Sequence, residues 1–442
     1  MENKLQKSFS PRLTKLQTAL WCAMALALTL VARTHGQSVL VGPPMIPAAP
    51  NAAGAGGDTN TGDTNQLDSA SGSVSAAGAG GFENRNPFQW GPIILHPRVG
   101  YGLTYGTGLQ SQPGQTSKSA INTVSAGLGL DLGHHWDLNY SAAAAFYSDR
   151  KFKNSVNHDL AIHGHTTYED WGFNLSQSVA ISSDPLVETA QQTDQQSYNT
   201  SLGASYQINS SLSAAVTAGQ QLHSASGFTN SVGSSIDWSL SGSLNYEFGP
   251  GVSAGLGAGW GYSKVDIGPD NTYEDVSLNF NWAFARKLSL SLNGGAQIRQ
   301  FIGSGQPSLV SPTFGATLNY HPFLFTTLYL SASRNLGASF FQNQVTENTT
   351  INIGLSQRLF KKYQLSASGG YGLSNYQDTS PGGAMGITGR SDTRTFFSAS
   401  LSRSFLKRGT AALTYSKSEN ASNSRGYGYN SDQVGLSLSY SY

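Results

Sequence analysis

The last nine residues, VGLSLSYSY, alternate without a break. Val434, Leu436, Leu438, Tyr440 and Tyr442 fall on one face, and Gly435, Ser437, Ser439 and Ser441 on the other. A helix would scatter these residues around its circumference, whereas a strand sorts them into two faces. The segment is therefore a strand with one greasy and one small polar side, and the same period returns as far back as about residue 95. Ile236, Trp238, Leu240, Leu244, Tyr246 and Phe248 oppose Asp237, Ser239, Ser241, Ser243, Asn245 and Glu247. Leu288, Leu290, Leu292, Ala296 and Ile298 oppose Ser289, Ser291, Asn293, Gln297 and Arg299. Comparable runs lie at 252–262, 276–284, 351–359, 363–373 and 397–405.

Alternation alone fits a soluble sandwich, with its large apolar residues buried, and equally a barrel that turns them to lipid. Connection lengths separate the two, because membrane barrels join their strands by short turns at one end and longer loops at the other. Short connections are read at 133–135, 169–170, 209–211, 249–251, 285–287, 321–322, 361–362 and 407–409. Polar loops alternate with them at 110–119, 149–157, 183–197, 220–231, 266–272, 303–311, 334–347, 375–392 and 418–431. Eight turns and nine loops give an all-β, up-and-down antiparallel transmembrane barrel of about 18 strands (16 to 18). The even number brings both ends of the barrel to the short-turn side. Aromatic residues also gather beside the short turns: Trp136, Trp171, Tyr246, Trp282, Tyr320 and Phe405 are expected to form a girdle at one membrane interface.

Before the barrel come two segments of different composition. Lys4, Lys7, Arg12 and Lys15 precede the apolar run Leu20–Ala32 and the small-residue stretch Thr34–Gly36, so residues 1–36 read as a secretory signal peptide. The apolar run is shorter than the roughly 20 residues a spanning helix needs, and no later stretch is long and apolar enough for one. The lone cysteine, Cys22, lies inside this run, so the mature chain is expected to carry no disulfide and no thiolate chemistry. Residues 37–90 repeat AAGAGG and DTN and hold few large apolar side chains. They cannot bury enough surface to offset the entropy of ordering, and read as a disordered Gly/Ala/Ser/Asn-rich periplasmic tether. The barrel is then expected over 91–442.

A net charge of +1 with 12% charged residues offers no basic field for nucleic acid. The polar face is mostly Ser, Asn, Gly, Thr and Gln, with Asp237, Glu247, Arg299 and Arg358 as scattered charges and His163 and His165 sharing one face of a His-rich segment. Such a lining hydrogen-bonds neutral solutes and selects weakly by charge. Two histidines without a fixed third ligand do not make a metal site. No Gly-x-Ser-x-Gly marks a nucleophile, and the glycine runs lie in strands rather than at helix starts. The chain is expected to be a channel for polar solutes and not an enzyme, with no cofactor. The alternative is a non-conducting barrel whose loops, chiefly 375–392 and 418–431, bind a surface polymer or partner.

The leader, the low-complexity lead, Pro97-Arg98-Val99-Gly100-Tyr101-Gly102-Leu103 opening a first strand, Trp171-Gly172-Phe173 entering another and Tyr442 at the end together resemble the second β-barrel porin family of Gram-negative bacteria. The resemblance covers about residues 90–442. It implies a location in the outer membrane among its lipids, and a channel linked to exopolysaccharide loci. A terminal aromatic in an alternating strand is similar to the signal read by the barrel-assembly machinery, which makes Tyr442 the expected assembly signal.

Overall fold

In the computed structural model of the chain, the described residues are 88–442 except 187, 227–233, 267, 285–286, 340–343, 361 and 380–388. The expected signal peptide, and the tether as far as residue 87, lie outside them.

Eighteen strands form the wall: β1 (Ile93–Gln112), β2 (Gln115–Leu132), β3 (Trp136–Tyr147), β4 (Ser155–Tyr168), β5 (Trp171–Ser182), β6 (Asp194–Gln207), β7 (Leu212–Ser226), β8 (Ser235–Gly249) and β9 (Val252–Val265), then β10 (Asn271–Phe284), β11 (Leu288–Phe301), β12 (Leu309–Phe323), β13 (Thr326–Ala338), β14 (Gln344–Leu359), β15 (Tyr363–Asp378), β16 (Ser391–Phe405), β17 (Gly409–Ser422) and β18 (Tyr429–Ser441). Each pairs antiparallel with the next in sequence. The terminal strand β18 pairs with β1, from Arg98 opposite Ser441 to Thr107 opposite Asp432. The sheet is thereby closed, with every strand of the wall paired to a neighbour on both sides. The two-residue strand Gln89–Trp90 folds back onto Ile93 and Ile94.

The register fixes which face is which. Val99, Tyr101, Leu103 and Tyr105 of β1 stand opposite Tyr440, Leu438, Leu436 and Val434 of β18, and this face is solvent-exposed throughout, Val99 at 59% and Leu278 of β10 at 64%. A soluble sandwich would bury these residues. Here most of the large apolar side chains face outward, and the small polar ones face inward.

Two sequence expectations need correction. The turn between β12 and β13 is Leu324–Phe325, not 321–322. The chain stays extended through Pro322 because the ladder slips there, between Tyr320 and Phe323, and a proline without an N–H is tolerated at a slip. The long-loop ends are also more strand-like than their composition suggests. Residues 110–119 are strand except for Pro113–Gly114, and β17 and β18 leave only 423–428 of the expected loop 418–431. Backbone pairing continues past the apolar band because a ladder needs no alternation once neither face meets lipid. With 20 residues in β1 against about 9–11 needed to span a bilayer, the wall stands well beyond the apolar belt on the loop side.

Candidate functional site

At a strand spacing of about 4.8 Å and a tilt of about 40°, eighteen strands enclose a backbone cylinder roughly 35 Å wide, too wide for wall side chains to meet across the centre. Inward positions are also unusually lean. On β9 they are Gly255, Gly257, Gly259 and Gly261, and a Cβ at these four would collide with Asn245, Ser277, Asp275 and Tyr273 respectively. Side chains of β8 and β10 thus lie flat across the glycines, keeping the wall thin.

Register places Asp237, Glu247, Arg299, Arg358, His163 and His165 on the inward face, but in different settings. Glu247 and Arg358 are exposed near the short-turn end, where Arg358 stands 5.5 Å from the Phe325 ring. Arg299 is 2% exposed, set over Tyr273 at 5.1 Å and donating to Gln297 Oε1 and the Leu336 carbonyl. His163 lies opposite Asp137 in the β3–β4 ladder, and the His165 ring is 5.7 Å from that of His135. His158 falls on the outer face, with its Nδ1 2.9 Å from the Tyr140 hydroxyl. Among the described residues no group of three His, Cys, Asp or Glu is placed to hold a metal. Near the short turns the inner wall also carries His96, 3.0 Å from Asp131, so acidic and basic groups are interspersed among the described residues.

Trp136, Trp171, Tyr246, Trp282, Tyr320 and Phe405 are all exposed on the outer face beside the short turns. Trp171 packs on Tyr206 at 4.8 Å, and Trp282 on Phe284 at 5.0 Å. Tyr442 donates its backbone N–H to the Pro97 carbonyl. Its ring rests on Phe88 at 5.1 Å and under the Arg408 guanidinium at 4.2 Å.

The loop-side mouth was not legible from periodicity. The connection 183–193 between β5 and β6 forms a miniature hairpin, Pro185–Leu186 against Gln191–Gln192, yet Leu186, Glu188, Thr189, Ala190, Gln191 and Thr193 are buried. A loop standing out in solvent could not bury them. Its root is tied to the near wall: Asn157 donates to Asp184 Oδ2 at 2.8 Å, the Ser183 N–H to Asn157 Oδ1, and Gln192 to the Lys153 and Ser183 carbonyls. Its tip meets residues eight strands away in either direction round the barrel. Ser339, just beyond β13, donates to Glu188 Oε1 at 2.6 Å, and Arg390, just before β16, donates to the Glu188 carbonyl at 2.7 Å.

Those residues lean in to meet it. β12 and β13 stay paired only as far as Phe314 opposite Arg334. Beyond that point β13 no longer pairs in the ladder with β12, and Leu336, Val345, Thr346 and Glu347 are buried. Glu347 there accepts from Ser311 and is ion-paired with Arg334. Arg390, 1% exposed, is ion-paired with Asp392 and held between the rings of Tyr376 at 4.5 Å and Tyr427 at 3.8 Å. On the other flank, Leu109, Ile121, Ala144, Ala145 and Phe152 make a small apolar core at the loop end of β1–β4, and Gly114 donates to the Gly426 carbonyl. The mouth is therefore bridged by chain segments, while the wall below remains lean and polar.

One ionisable group at the root is out of its ordinary range. Burial pushes the Asp184 carboxyl up to about 7, helped by the nearby Asp159 and opposed by the hydrogen bond from Asn157. Its Oδ1 is buried without a hydrogen-bond partner among the described residues. Sequence reasoning passed over Asp184, Glu188, Arg390 and Asp392 because they lie between periodic runs. The signal available was local: Pro185-Leu186-Val187 is an apolar patch inside an otherwise polar loop.

No family model matches the chain, and no curated protein is similar to it in sequence. Solved structures with a similar outline include OpdO of Pseudomonas aeruginosa, at 12% identity and a TM-score of 0.43 over 79% of this chain and 97% of that one. OccAB4 of Acinetobacter baumannii matches at 12% identity and 0.41, over 81% and 100%. The siderophore receptor PirA of Pseudomonas aeruginosa matches at 10% identity and 0.40, over 78% and 80%.

Proposed function

We propose that the chain is an outer-membrane channel for polar solutes, its mouth narrowed by the inward-folded segment 183–193. One observation supports this above the rest: the closed sheet turns most of its large apolar side chains outward and its Ser, Asn and Gly side inward. Such a surface is stable only where hydrocarbon meets it, and a cylinder about 35 Å wide cannot be filled from its own wall. The lining of small hydroxyl and amide groups with interspersed charges suits neutral hydrophilic solutes, including the polysaccharide chains that the family resemblance suggests. In this reading the leader directs secretion in a Gram-negative cell, the aromatic rows beside the short turns mark the periplasmic interface, and Tyr442 with the rest of β18 is the element presented to the assembly machinery.

The bridged mouth favours a second reading, a barrel that does not conduct and presents its loop side to a partner. Conductance of the refolded mature chain in planar bilayers separates the two, measured with and without residues 37–85. Steady large steps support the channel, and steps that emerge only on the deletion make the lead a plug. Silence in both preparations overturns the channel and leaves the loop-binding reading.

A further inference from the structure

Inward-facing aromatic rings on this wall follow a pattern. Tyr273, Tyr329 and Phe396 each lie across a glycine of a neighbouring strand, and a Cβ on Gly261, Gly354 or Gly370 would strike the Tyr273, Tyr329 or Phe396 ring respectively. A ring lying flat on a strand has one face against the wall and turns the other toward the lumen. In Tyr273 that second face is taken: Arg299 sits over it at 5.1 Å and the residue is 8% exposed. Tyr329 and Phe396 are only half-buried.

These two rings are neighbours. Along the ladder, Tyr329 stands level with Gly354, Ser368 and Ser398. Phe396 belongs to the next inward level, with Gly370, Asn352 and Ser331. The Tyr329 ring therefore covers β14 and the Phe396 ring covers β15, one strand and one pleat repeat apart, or about 8 Å. Hydroxyl and amide groups frame them: Ser368 and Ser398 are hydrogen-bonded at 2.7 Å, and Asn352 donates to Ser331. The Arg394 guanidinium lies over the Phe396 ring at 5.8 Å, farther out than Arg299 over Tyr273 and drawn toward β17 by its Nε donating to Ser418 Oγ, so the half-buried ring is left partly open.

From this juxtaposition, and resting on the channel reading above, we infer a saccharide-binding site on the β13–β16 wall, in which Tyr329 and Phe396 stack on two sugar rings of one chain. A pyranose has an apolar C–H face and a polar rim. The C–H face matches an open, electron-rich ring surface, and the rim matches the hydroxyl and amide frame. A planar base or a purely ionic solute would use only half of the surface. The separation of the rings calls for an oligosaccharide rather than a single hexose. The site lies below the bridged mouth, where a chain threading the barrel would meet it.

The test is blockade of the ion current through the full mature chain by maltohexaose, in wild type, Tyr329→Ala, Phe396→Ala and the double variant, with Ser201→Ala on the opposite wall as control. Wild type and Ser201→Ala should show discrete sugar-dependent interruptions. Each ring variant should shorten them about fivefold, and the double variant at least about tenfold, with conductance steps in plain buffer preserved. Rings that serve only to shield glycines would lower heat stability without changing the interruptions, and that result overturns the site. A conducting wild type indifferent to maltohexaose overturns it too, as does blockade by benzoate but not by the sugar, while the channel reading survives both. Should no preparation conduct, the channel reading falls, and calorimetric titration of the detergent-solubilised barrel with maltohexaose decides the site: heat lost in the double variant supports it, and no heat in wild type overturns it.

Discussion

Replacing Arg390 by alanine should unfasten the mouth while leaving the barrel intact. The guanidinium is 1% exposed, paired through Nε and Nη2 with Asp392 and through Nη1 with the Glu188 carbonyl, and enclosed by the rings of Tyr376 and Tyr427. Removing one member of a buried ion pair strands the other, and such changes cost about 3–5 kcal/mol. Because Arg390 reaches the inserted segment itself, much of that loss falls on docking of 183–193. Taking the lower figure of about 3 kcal/mol, the ratio of released to docked segments rises by about 150-fold. A mouth released about once in a hundred observations would then be released more than half the time. Single-channel records at fixed voltage read this as a shift of dwell time toward the largest conductance level, and limited proteolysis within 183–193 reads it independently. A heat-resistant, correctly folded Arg390→Ala barrel with wild-type dwell times and wild-type protection would refute the latch.

Docking should also depend on pH through Asp184. Its carboxyl titrates near 7 in place against 3.8 when free, so the docked segment holds the proton more tightly than the released one. Docking is therefore most favourable below pH 3.8, weakens as pH rises, and has lost this contribution once pH passes about 7. Large-conductance dwell time should rise between pH 5 and 8, and Asp184→Asn should flatten the curve; an unchanged curve in that variant refutes the assignment. At the apolar belt, Leu278→Arg should cost about 2–4 kcal/mol in denaturant unfolding from lipid vesicles, because Leu278 stands outward at 64% exposure midway along β10. Ser277→Arg, one residue away but inward, should unfold nearly as wild type. Equal losses in the two variants would contradict the facing.

The spanning part of the barrel was legible because two solvents wrote it. Lipid on one side and water on the other impose a period of two on each strand, and residues 236–248 or 434–442 cannot be read any other way. The short turns were legible for a related reason: they must reverse the chain at once, and positive backbone angles at Glu169, Phe360, Leu406 and Lys407 show how tightly. The turn at Leu324–Phe325 was misplaced, because its apolar residues offer no polar punctuation and Pro322 supplies a false one. The settings of Asp237, Arg299 and His163 were not legible in the alternation. Nothing in the alternation distinguishes an open inward arginine such as Arg358 from Arg299, which is sealed by Tyr273 and Gln297.

The mouth escaped for a physical reason that also says where this chain is most adjustable. The described residues of 183–193, those at 335–339 and 344–348, and 389–392 are held by contacts between residues far apart in sequence, such as Ser339 with Glu188 and Asn157 with Asp184, and no local period encodes such meetings. The same contacts are few and polar, and several involve buried charges whose net contribution to stability is small. A wall closed by eighteen ladders cannot yield in one place without opening an edge to lipid, whereas a bridge fastened by a handful of side chains can. Substitutions that alter what passes should therefore fall in two places. They should lie at the fastenings of the mouth, where they change how often the way is clear, and on the flat rings and glycines of the inner wall, where they change what lingers there. The outward leucines and the aromatic rows should govern only whether the barrel stands.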